Sequence, residues 1–280
     1  MNVLWLSDLH LNWLSRTDAE QFVRSIDTSD ADIAVVCGDT CMPASEEEQE
    51  LGHNQSGLLG IDTDIPVFYV LGNHDFYGSS SSDVRVQLLN EIHLSAAENP
   101  RLAQCYLAAC GNPIWLSEDT CIFGHDGWYD GRAGNYEHSY VMLNDFSQIG
   151  DFTRLLGGKH TRLNRMQVLA DFGTEHIESM LHRAVLQGYK KFICVTHVPP
   201  FVESSRYGDR PTGDDFLPFF CNFLLGERLR KFMLQHPEHE LTVFCGHTHT
   251  AVDIQILDNL RVLVAGAEYG HPEVQGVVEV

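Results

Sequence analysis

Short apolar runs alternate with amphipathic stretches through the first third of the chain. The runs are typical of buried strands and occupy residues 3–6, 33–37 and 67–71. Between the first two runs, residues 17–26 have helical spacing with Thr17 as the candidate N-cap, and residues 44–49 predict the start of a further, polar helix. Because strands and helices alternate, this part of the chain predicts a parallel sheet with right-handed crossovers.

The same periodicities predict the elements of the remaining chain. Helical spacing recurs at residues 84–97, 163–186 and 216–234. Short apolar runs predict strands at residues 105–108, 114–116, 121–123, 192–195, 241–245, 254–257, 262–264 and 274–280. Residues 125–160 lose the apolar period and are rich in glycine, aspartate and aromatic residues. They therefore predict a loop-rich insertion, which in a compact domain is usually functional or mobile.

Length and composition describe an ordinary globular protein. The 280 residues are 44% hydrophobic and 20% charged, and they allow one large domain or two small ones. The polar motifs described below extend from Asp8 to His249 and would build one site from nearly the whole chain. We therefore expect a single domain over residues 1–280, of the α/β class.

The charge balance is strongly acidic. Lys and Arg number 18 against 39 Asp and Glu, which gives a formal net charge of -21. Such a surface repels anionic membranes and long nucleic acids, and it disfavours both as partners. A small phosphate ester that enters a local cationic site remains compatible with this charge. Solubility alone also explains the acidity and is the simpler interpretation.

Sequence features relevant to localisation favour the cytoplasm. The first six residues lack the basic segment of a signal peptide, and no run approaches the roughly 20 apolar residues of a membrane-spanning helix. Eight cysteines are scattered, and Cys37, Cys194 and Cys245 fall inside strand-like runs. This pattern predicts buried free thiols in a reducing compartment and no disulfide framework.

Residues that bind metal ions follow five of the predicted strands. The fragments are Asp8-Leu9-His10, Gly38-Asp39, Gly72-Asn73-His74-Asp75, Thr196-His197 and Gly246-His247-Thr248-His249. Any one of them alone would be read as turn residues or a buried histidine. Because the carboxyl ends of parallel strands meet at one edge of a sheet, the five together predict a two-metal hydrolytic centre.

Each residue type suits such a centre. Two ions about 3.5–4 Å apart need a bridging carboxylate, and Asp39 is our choice because it lies centrally among the ligands after a glycine. Asp8 and His10 are two residues apart in an extended segment, so that both can reach one ion. Asn73 supplies a neutral oxygen, which limits the negative charge. His197 completes the shell of the second ion.

The metals follow from the donor atoms. His247 and His249 can serve different ions from one loop, and no cysteine belongs to the set. A mixed oxygen and nitrogen set favours two divalent or trivalent ions, Mn and/or Fe, with Zn as a further choice.

The five fragments together resemble the calcineurin-like metallophosphoesterase superfamily over almost the whole chain. The resemblance implies two packed mixed β-sheets flanked by helices, a four-layer fold that is similar to the α+β class. It also implies the distribution of ligands. One metal would be held by Asp8, His10, Asp39 and His249, and the other by Asp39, Asn73, His197 and His247.

The resemblance further implies a mechanism. A metal-bridging hydroxide would attack phosphorus in line with the leaving group, while the metals stabilise the developing charge. His74 matches the family histidine that contacts a phosphoryl oxygen and protonates the leaving alkoxide. A purely structural His74 is the alternative. Asp75 would have a supporting or structural role.

Departures from the family pattern bear on the substrate. Protein Ser/Thr phosphatases carry Gly-Asp-x-x-Asp-Arg-Gly and an arginine before Gly-Asn-His. Here Met42, Pro43 and Ala44 stand in the Asp-Arg-Gly places, and Leu71 precedes Gly72. A protein phosphatase is therefore disfavoured, and the carboxylate that would orient His74 is not identified.

Two arginines in the polar loops are candidates for phosphate binding. Arg132 and Arg206 could each bind phosphate as a guanidinium fork, although most loop arginines are merely solvated. The sequence thus predicts a dinuclear metal-dependent phosphoric-ester hydrolase, and within it a small-molecule phosphodiesterase whose selectivity lies in residues 125–160. A phosphomonoesterase and a non-catalytic interaction module are the alternatives. The sequence leaves the native metal pair and the oligomeric state open.

Overall fold

The computed structural model describes residues 1–41, 65–98 and 104–280. Within these ranges the chain divides into two compact units. The first unit comprises Met1–Tyr106, Leu143–Leu155 and Ala267–Val280, and the second comprises Leu107–Met142 and Leu156–Gly266. The single domain over residues 1–280 stays a prediction, and the predicted helix over residues 44–49 lies outside the described residues.

A five-stranded mixed sheet forms the centre of the first unit. Its strands are β1 (Asn2–Leu6), β2 (Ile33–Val36), β3 (Val67–Tyr69), β4 (Gln104–Tyr106) and β13 (Gly276–Glu279). In the order β13-β1-β2-β3-β4, the first four strands of the chain pair in parallel and β13 pairs antiparallel with β1. The predicted parallel arrangement of the first strands is confirmed. Their carboxyl ends therefore lie at one edge of this sheet.

Two helices of the first unit, Arg16–Ser25 and Ser81–Glu98, begin and end close to the predicted bounds. Two short helices, Asp145–Gln148 and Gly150–Thr153, lie in the segment predicted to be rich in loops. The prediction of Thr17 as N-cap is wrong. The cap is Ser15, whose hydroxyl oxygen accepts a hydrogen bond from the Asp18 amide at 3.2 Å and donates to the Asp18 carboxylate at 2.6 Å. This reciprocal pair satisfies the Asp18 amide, which is one of the first N–H groups of the helix and has no partner within it.

A six-stranded mixed sheet forms the centre of the second unit. Its strands are β5 (Ile114–Trp115), β6 (Thr120–Gly124), β7 (Lys191–Val195), β10 (Glu240–Cys245), β11 (Val252–Leu257) and β12 (Leu260–Val264). In the order β11-β12-β10-β7-β6-β5, the four central strands are parallel and the two edge strands antiparallel. A separate hairpin pairs β8 (Arg206–Tyr207) with β9 (Arg210–Pro211).

Two helices of the second unit, Lys159–Leu186 and Phe223–Gln235, cover this sheet. Buried Ile177 and Leu229 belong to the same apolar cluster as Phe192 of β7, and each such side chain contributes about 1.5–3 kcal/mol of burial free energy. The first helix begins four residues earlier than residue 163. The prediction of one helix over residues 216–234 is wrong, because Leu217–Phe219 is a 3₁₀ turn and the helix starts only after Asn222.

The break before the second helix has a local cause. The Asn222 side chain accepts a hydrogen bond from the Leu225 amide at 3.1 Å and caps the helix. Residues 125–158 contain two four-residue helices and otherwise turns and bends among the described residues. All eight cysteines are free thiols, as predicted. Among the described residues no helix has the length and apolarity needed to cross a bilayer.

Candidate metal centre

Backbone hydrogen bonds join the loops that follow β1 and β2 in the first unit. The Asp8 amide donates to the Gly38 carbonyl at 3.0 Å, and the His10 amide donates to the Asp39 carbonyl at 2.9 Å. Both loops lie directly after a buried strand, so their positions are fixed by the parallel pairing of β1 with β2. Three predicted ligands, Asp8, His10 and Asp39, are thereby held on adjacent loops, and all three are buried.

The predicted ligands have an unusual backbone conformation. Six non-glycine residues of the described chain have a positive φ, between 43° and 69°. Five of the six are predicted ligands, namely Asp8, His10, Asp39, His247 and His249; the sixth is Cys41. The left-handed region costs an L-residue roughly 1–2 kcal/mol. Strain of this kind persists where surrounding structure enforces it and is typical of functional sites.

Asp75 organises the loop that carries Asp39. Its Oδ2 accepts hydrogen bonds from the amides of Asp39 and Gly72, both at 2.8 Å. Its Oδ1 accepts from the amides of Thr40 and Cys41, both at 3.1 Å. One buried carboxylate therefore satisfies four backbone donors and ties the β2 loop to the β3 loop. This is the structural role that was one of the two roles expected for Asp75.

We expect Asp75→Asn to destabilise the protein by about 3 kcal/mol, since an asparagine keeps one acceptor oxygen and leaves two buried amides without one. Urea unfolding followed by tryptophan fluorescence would measure the loss as a lower midpoint. Asp30→Asn is the matched control, because Asp30 is exposed in the same unit. Equal midpoints for the two variants would contradict the proposed role.

Close packing at Gly72 fixes the Asp39 carboxylate. A side chain at position 72 would overlap the Asp39 carboxylate and backbone. Asp39 Oδ1 accepts a hydrogen bond from the His74 amide at 2.8 Å, and Oδ2 lies 3.7 Å from His10 Nε2. One ligand-type atom from each of His10, Asp39 and His74 lies within 4.8 Å of the others. The first unit thus brings the sequence-predicted residues of three loops together.

Aromatic rings position His74. Its ring stacks on Tyr77 with a centroid distance of 4.4 Å and an interplanar angle of 26°. It also meets His10 edge-on at 4.6 Å and lies 6.1 Å from Tyr269. The imidazole is half-buried, which leaves one side available to a substrate.

Asp145 supports both Asn73 and Tyr77. Its Oδ1 accepts hydrogen bonds from Asn73 Nδ2 at 3.0 Å and from the Tyr77 hydroxyl at 2.7 Å. The bond to Nδ2 fixes the orientation of the Asn73 amide, so that its carbonyl oxygen points the other way, as a metal ligand requires. Burial raises the pKa of Tyr77, and the Asp145 charge raises it further. Tyr77 therefore stays a hydroxyl donor at neutral pH.

Sequence reasoning missed Tyr77, Asp145 and Tyr269. Tyr269 lies against the His10 ring at 4.5 Å and the Trp13 ring at 5.1 Å. Burial raises its pKa, and the Asp39 and Asp8 carboxylates add to the effect. No motif marks any of the three, and the only available signal was the position of Tyr77 two residues after Asp75.

The second unit holds the remaining predicted ligands after β7 and β10. The Gly246 amide donates to the His197 carbonyl at 2.9 Å, which joins the two loops. The rings of His197 and His247 meet at a centroid distance of 5.1 Å. His247 Nε2 lies 2.9 Å from the Phe219 carbonyl oxygen. A carbonyl only accepts, so Nε2 carries the proton and the lone pair is on Nδ1, as in many metal-ligating histidines.

The two candidate arginines have different surroundings. Arg132 forms ion pairs with Asp171 at 2.7 Å and Asp130 at 3.3 Å, and Asp130 also accepts from the Leu224 amide at the start of a helix. These contacts give Arg132 a structural position. Arg206 donates through Nη2 to the Asp209 carbonyl at 2.7 Å and lines a cavity in the second unit.

The donor set fits hard or borderline metal ions. Asp8 and Asp39 are 2% and 1% exposed, and a cation compensates the cost of burying such charges. Burial raises the pKa of the Cys41 thiol, and the charges of Asp75 and Asp39 raise it further. The seven predicted ligands supply oxygen and nitrogen donors only. Four predicted ligands belong to the first unit and three to the second, and the complete set stays a prediction.

An α/β protein whose strand ends carry aspartate, asparagine and histidine in this order has the organisation of a metallohydrolase. Residues 1–251 match the family described as calcineurin-like phosphoesterase, and the chain belongs to that family. The family is described as one of phosphoesterases, and it implies divalent metal ions. The predicted family and fold class are confirmed.

Three known proteins are similar to this chain in sequence or in fold. A Bos taurus transmembrane protein with a metallophosphoesterase domain is 31% identical over 84 residues, which are 30% of this chain and 18% of that protein. The chain thus matches less than a fifth of the relative's length. The phosphopantetheinyl hydrolase of Mycobacterium tuberculosis superposes with a TM-score of 0.58 at 16% identity, covering 95% of this chain and 89% of that one. A dimetal phosphatase from Danio rerio gives 0.48 at 13% identity, with 95% and 87% covered.

Proposed function

We propose that this chain is a small-molecule phosphodiesterase with a dinuclear metal centre in a single domain over residues 1–280. The ligands we assign to one ion are Asp8, His10, Asp39 and His249, and those we assign to the other are Asp39, Asn73, His197 and His247. Manganese or iron, or zinc, suits this set. The concentration of positive φ at five of the seven residues supports the assignment.

When bound, the ions supply a hydroxide nucleophile at neutral pH and positive charge for the phosphoryl oxygens. The chain's own residues hold the geometry. Asp75 fixes the backbone on both sides of Asp39, and Asp145 fixes the amide of Asn73. Such supporting contacts restrict the ligands to one orientation before metal or substrate binds, which lowers the reorganisation cost of binding and reaction.

His74 is the proton donor in this proposal. Its ring is half-buried, with Tyr77 stacked on it and His10 at its edge, so that its position is fixed while a nitrogen remains within reach of a substrate. In the protonated form it donates to the leaving oxygen as the bond to phosphorus breaks. An alkoxide leaving group needs this proton much more than a phenolate.

The observation that carries the preference for diesters is the neutral aromatic surface at His10 and His74. Tyr77 and Tyr269 contact these two rings, and Trp13 extends the surface into solvent. Leu71, at the place where protein phosphatases carry an arginine, is buried. A diester has one negative charge and two organic groups, whereas a monoester dianion needs an additional cation. The neutral aromatic surface and the buried Leu71 therefore favour a diester over a monoester.

We expect the Mn-loaded protein to hydrolyse bis(p-nitrophenyl) phosphate with a kcat/KM at least about tenfold above that for p-nitrophenyl phosphate, a difference of about 1.4 kcal/mol in transition-state stabilisation. Initial rates at 405 nm would measure both. Fewer than one ion per chain after Mn or Fe loading would contradict the dinuclear centre. A higher kcat/KM for the monoester would favour the phosphomonoesterase, and bound metal without turnover of either ester would favour the interaction module.

A further inference from the structure

A cavity of about 360 Å³ lies in the second unit beside the loop that follows β10. Its walls include two arginines, three aromatic residues and two threonines: Arg206, Arg210, Tyr207, Phe216, Phe220, Thr212 and Thr248. The volume falls within the range of about 300–1,000 Å³ that is typical of small-molecule sites. None of the predicted catalytic steps uses Arg210, the three aromatic residues or Thr248.

The cavity is continuous with the predicted metal-binding loop. Thr248 lies between His247 and His249, and the Phe220 ring contacts the His247 ring at a centroid distance of 5.0 Å. The hairpin that carries Arg206 and Arg210 is joined to the same loop, because the Gly208 amide donates to Thr250 Oγ1 at 3.2 Å. A ligand in the cavity therefore lies next to two predicted metal ligands.

The aromatic residues present open ring faces. The side chains of Tyr207 and Phe216 are 82% and 52% exposed. Both are large and mostly apolar, and such side chains are usually buried. Phe216 and Phe220 are tilted at a centroid distance of 6.5 Å. Exposed rings at one cavity favour the stacking of a planar group, and stacking of this kind accepts any nucleobase.

The polar groups of the cavity indicate an anion and a polar edge. Arg206 and Arg210 place two guanidinium groups at one cavity of a chain whose net charge is -21. Such groups bind phosphate through paired hydrogen bonds. Thr248 is 8% exposed, and among the described residues its Oγ1 has no hydrogen-bond partner. A buried hydroxyl of this kind is usually satisfied, and a ligand with polar edges would satisfy it.

We propose that this cavity binds the nucleoside of the substrate together with a second phosphate, so that the substrate is a phosphodiester of a phosphorylated nucleoside. The base stacks on Phe216 and Tyr207, and the second phosphate pairs with Arg206 and Arg210. The Thr248 hydroxyl contacts the polar edge of the base or sugar. This assignment rests on the proposed phosphodiesterase function and adds the substrate class.

Three chromogenic diesters with the same leaving group test the proposal on the Mn-loaded protein. They are methyl p-nitrophenyl phosphate, thymidine 5'-(p-nitrophenyl phosphate) and its 3'-phosphorylated form. In each, one water adds oxygen to phosphorus and p-nitrophenolate leaves. We expect kcat/KM to rise by about tenfold from the first to the second through stacking, and by about tenfold again to the third through the guanidinium groups.

Single substitutions show which residue is responsible for each of the two increases in kcat/KM. Phe216→Ala should remove most of the first increase and Arg210→Gln most of the second, while neither changes the rate on the methyl ester. Phe172→Ala and Arg154→Gln are matched controls, because both residues are exposed and lie outside the cavity. Equal kcat/KM for all three diesters would overturn the cavity assignment and leave the phosphodiesterase intact.

Binding without metal separates the two proposals. After chelation of metals, ADP should bind the full chain at least about tenfold more tightly than adenosine or pyrophosphate alone, and Arg210→Gln should weaken ADP about tenfold. Titration calorimetry would measure all three. If no diester is hydrolysed but this binding persists, the proposed function fails and the cavity stands. If ADP binds no better than its parts, or Arg210→Gln has no effect, the cavity assignment is wrong.

Discussion

Asp39→Asn should reduce kcat/KM on a phosphodiester by about a thousandfold or more. A metal ion supplies several kcal/mol of transition-state stabilisation, and a loss of about 4 kcal/mol lowers the rate about a thousandfold. Asparagine has the same shape and its Oδ1 can still accept from the His74 amide, so the fold should persist. The lost charge and the new amide donors remove the bridging ligand. Metal content by mass spectrometry and kcat/KM would be measured together.

The matched control for Asp39→Asn is Asp30→Asn. Asp30 belongs to the same unit but is exposed, so its variant should bind metal and turn over substrate as the wild type does. A variant at position 39 that keeps two ions per chain and loses less than about tenfold in kcat/KM would show that Asp39 does not bridge the ions. Circular dichroism of both variants would separate loss of metal from loss of fold.

Those parts of the fold that depend on local periodicity could be predicted from the sequence. The strands that precede Asp8, Asp39 and Asn73 are short apolar runs ended by polar residues, and all three form in the structure. The sequence does not distinguish the N-cap, because Ser15 and Thr17 are both residue types that favour this position. Only the reciprocal hydrogen bonds of Ser15 with Asp18 distinguish them.

Side chains that support the site depend on distant pairs and could not be predicted. Asp145 is 72 residues from Asn73 in sequence, and the two are joined by one hydrogen bond. Arg132, a candidate phosphate-binding residue, forms an ion pair with Asp171, which is 39 residues away in sequence. Spacing contains no information on such pairs, because they arise from the packing of loops on the finished sheets.

The left-handed backbone conformation of the predicted ligands also could not be predicted from the sequence. Aspartate adopts the left-handed region more often than most residues, yet His10, His247 and His249 adopt it as well. In the loop of Asp39 and Cys41, the strained backbone is enforced by the hydrogen bonds that the Asp75 carboxylate accepts from four backbone amides. A motif therefore records the ligand types, whereas the three-dimensional structure explains why the backbone can present them.

The His74 ring is positioned mainly by aromatic contacts, and its backbone is positioned by a hydrogen bond to Asp39. Among the interactions of the described residues, its amide donates to Asp39 and its ring stacks on Tyr77, whose hydroxyl is held by Asp145. The stack on Tyr77 and the edge contact with His10 fix the plane of the imidazole, as the proposed role of His74 as proton donor requires.

His74→Asn should therefore show a loss that depends on the leaving group. On a diester that releases an alkoxide we expect kcat to fall by about 10²–10⁴-fold, because the departing oxygen needs a proton. On methyl p-nitrophenyl phosphate the loss should be far smaller, since p-nitrophenolate leaves without one. Metal content should stay at the wild-type level, because His74 is outside the proposed ligand set. His93→Asn, at an exposed position of the same unit, is the control. Equal losses on both diesters would mean that His74 only positions the phosphoryl group, and a loss of metal would place it among the ligands.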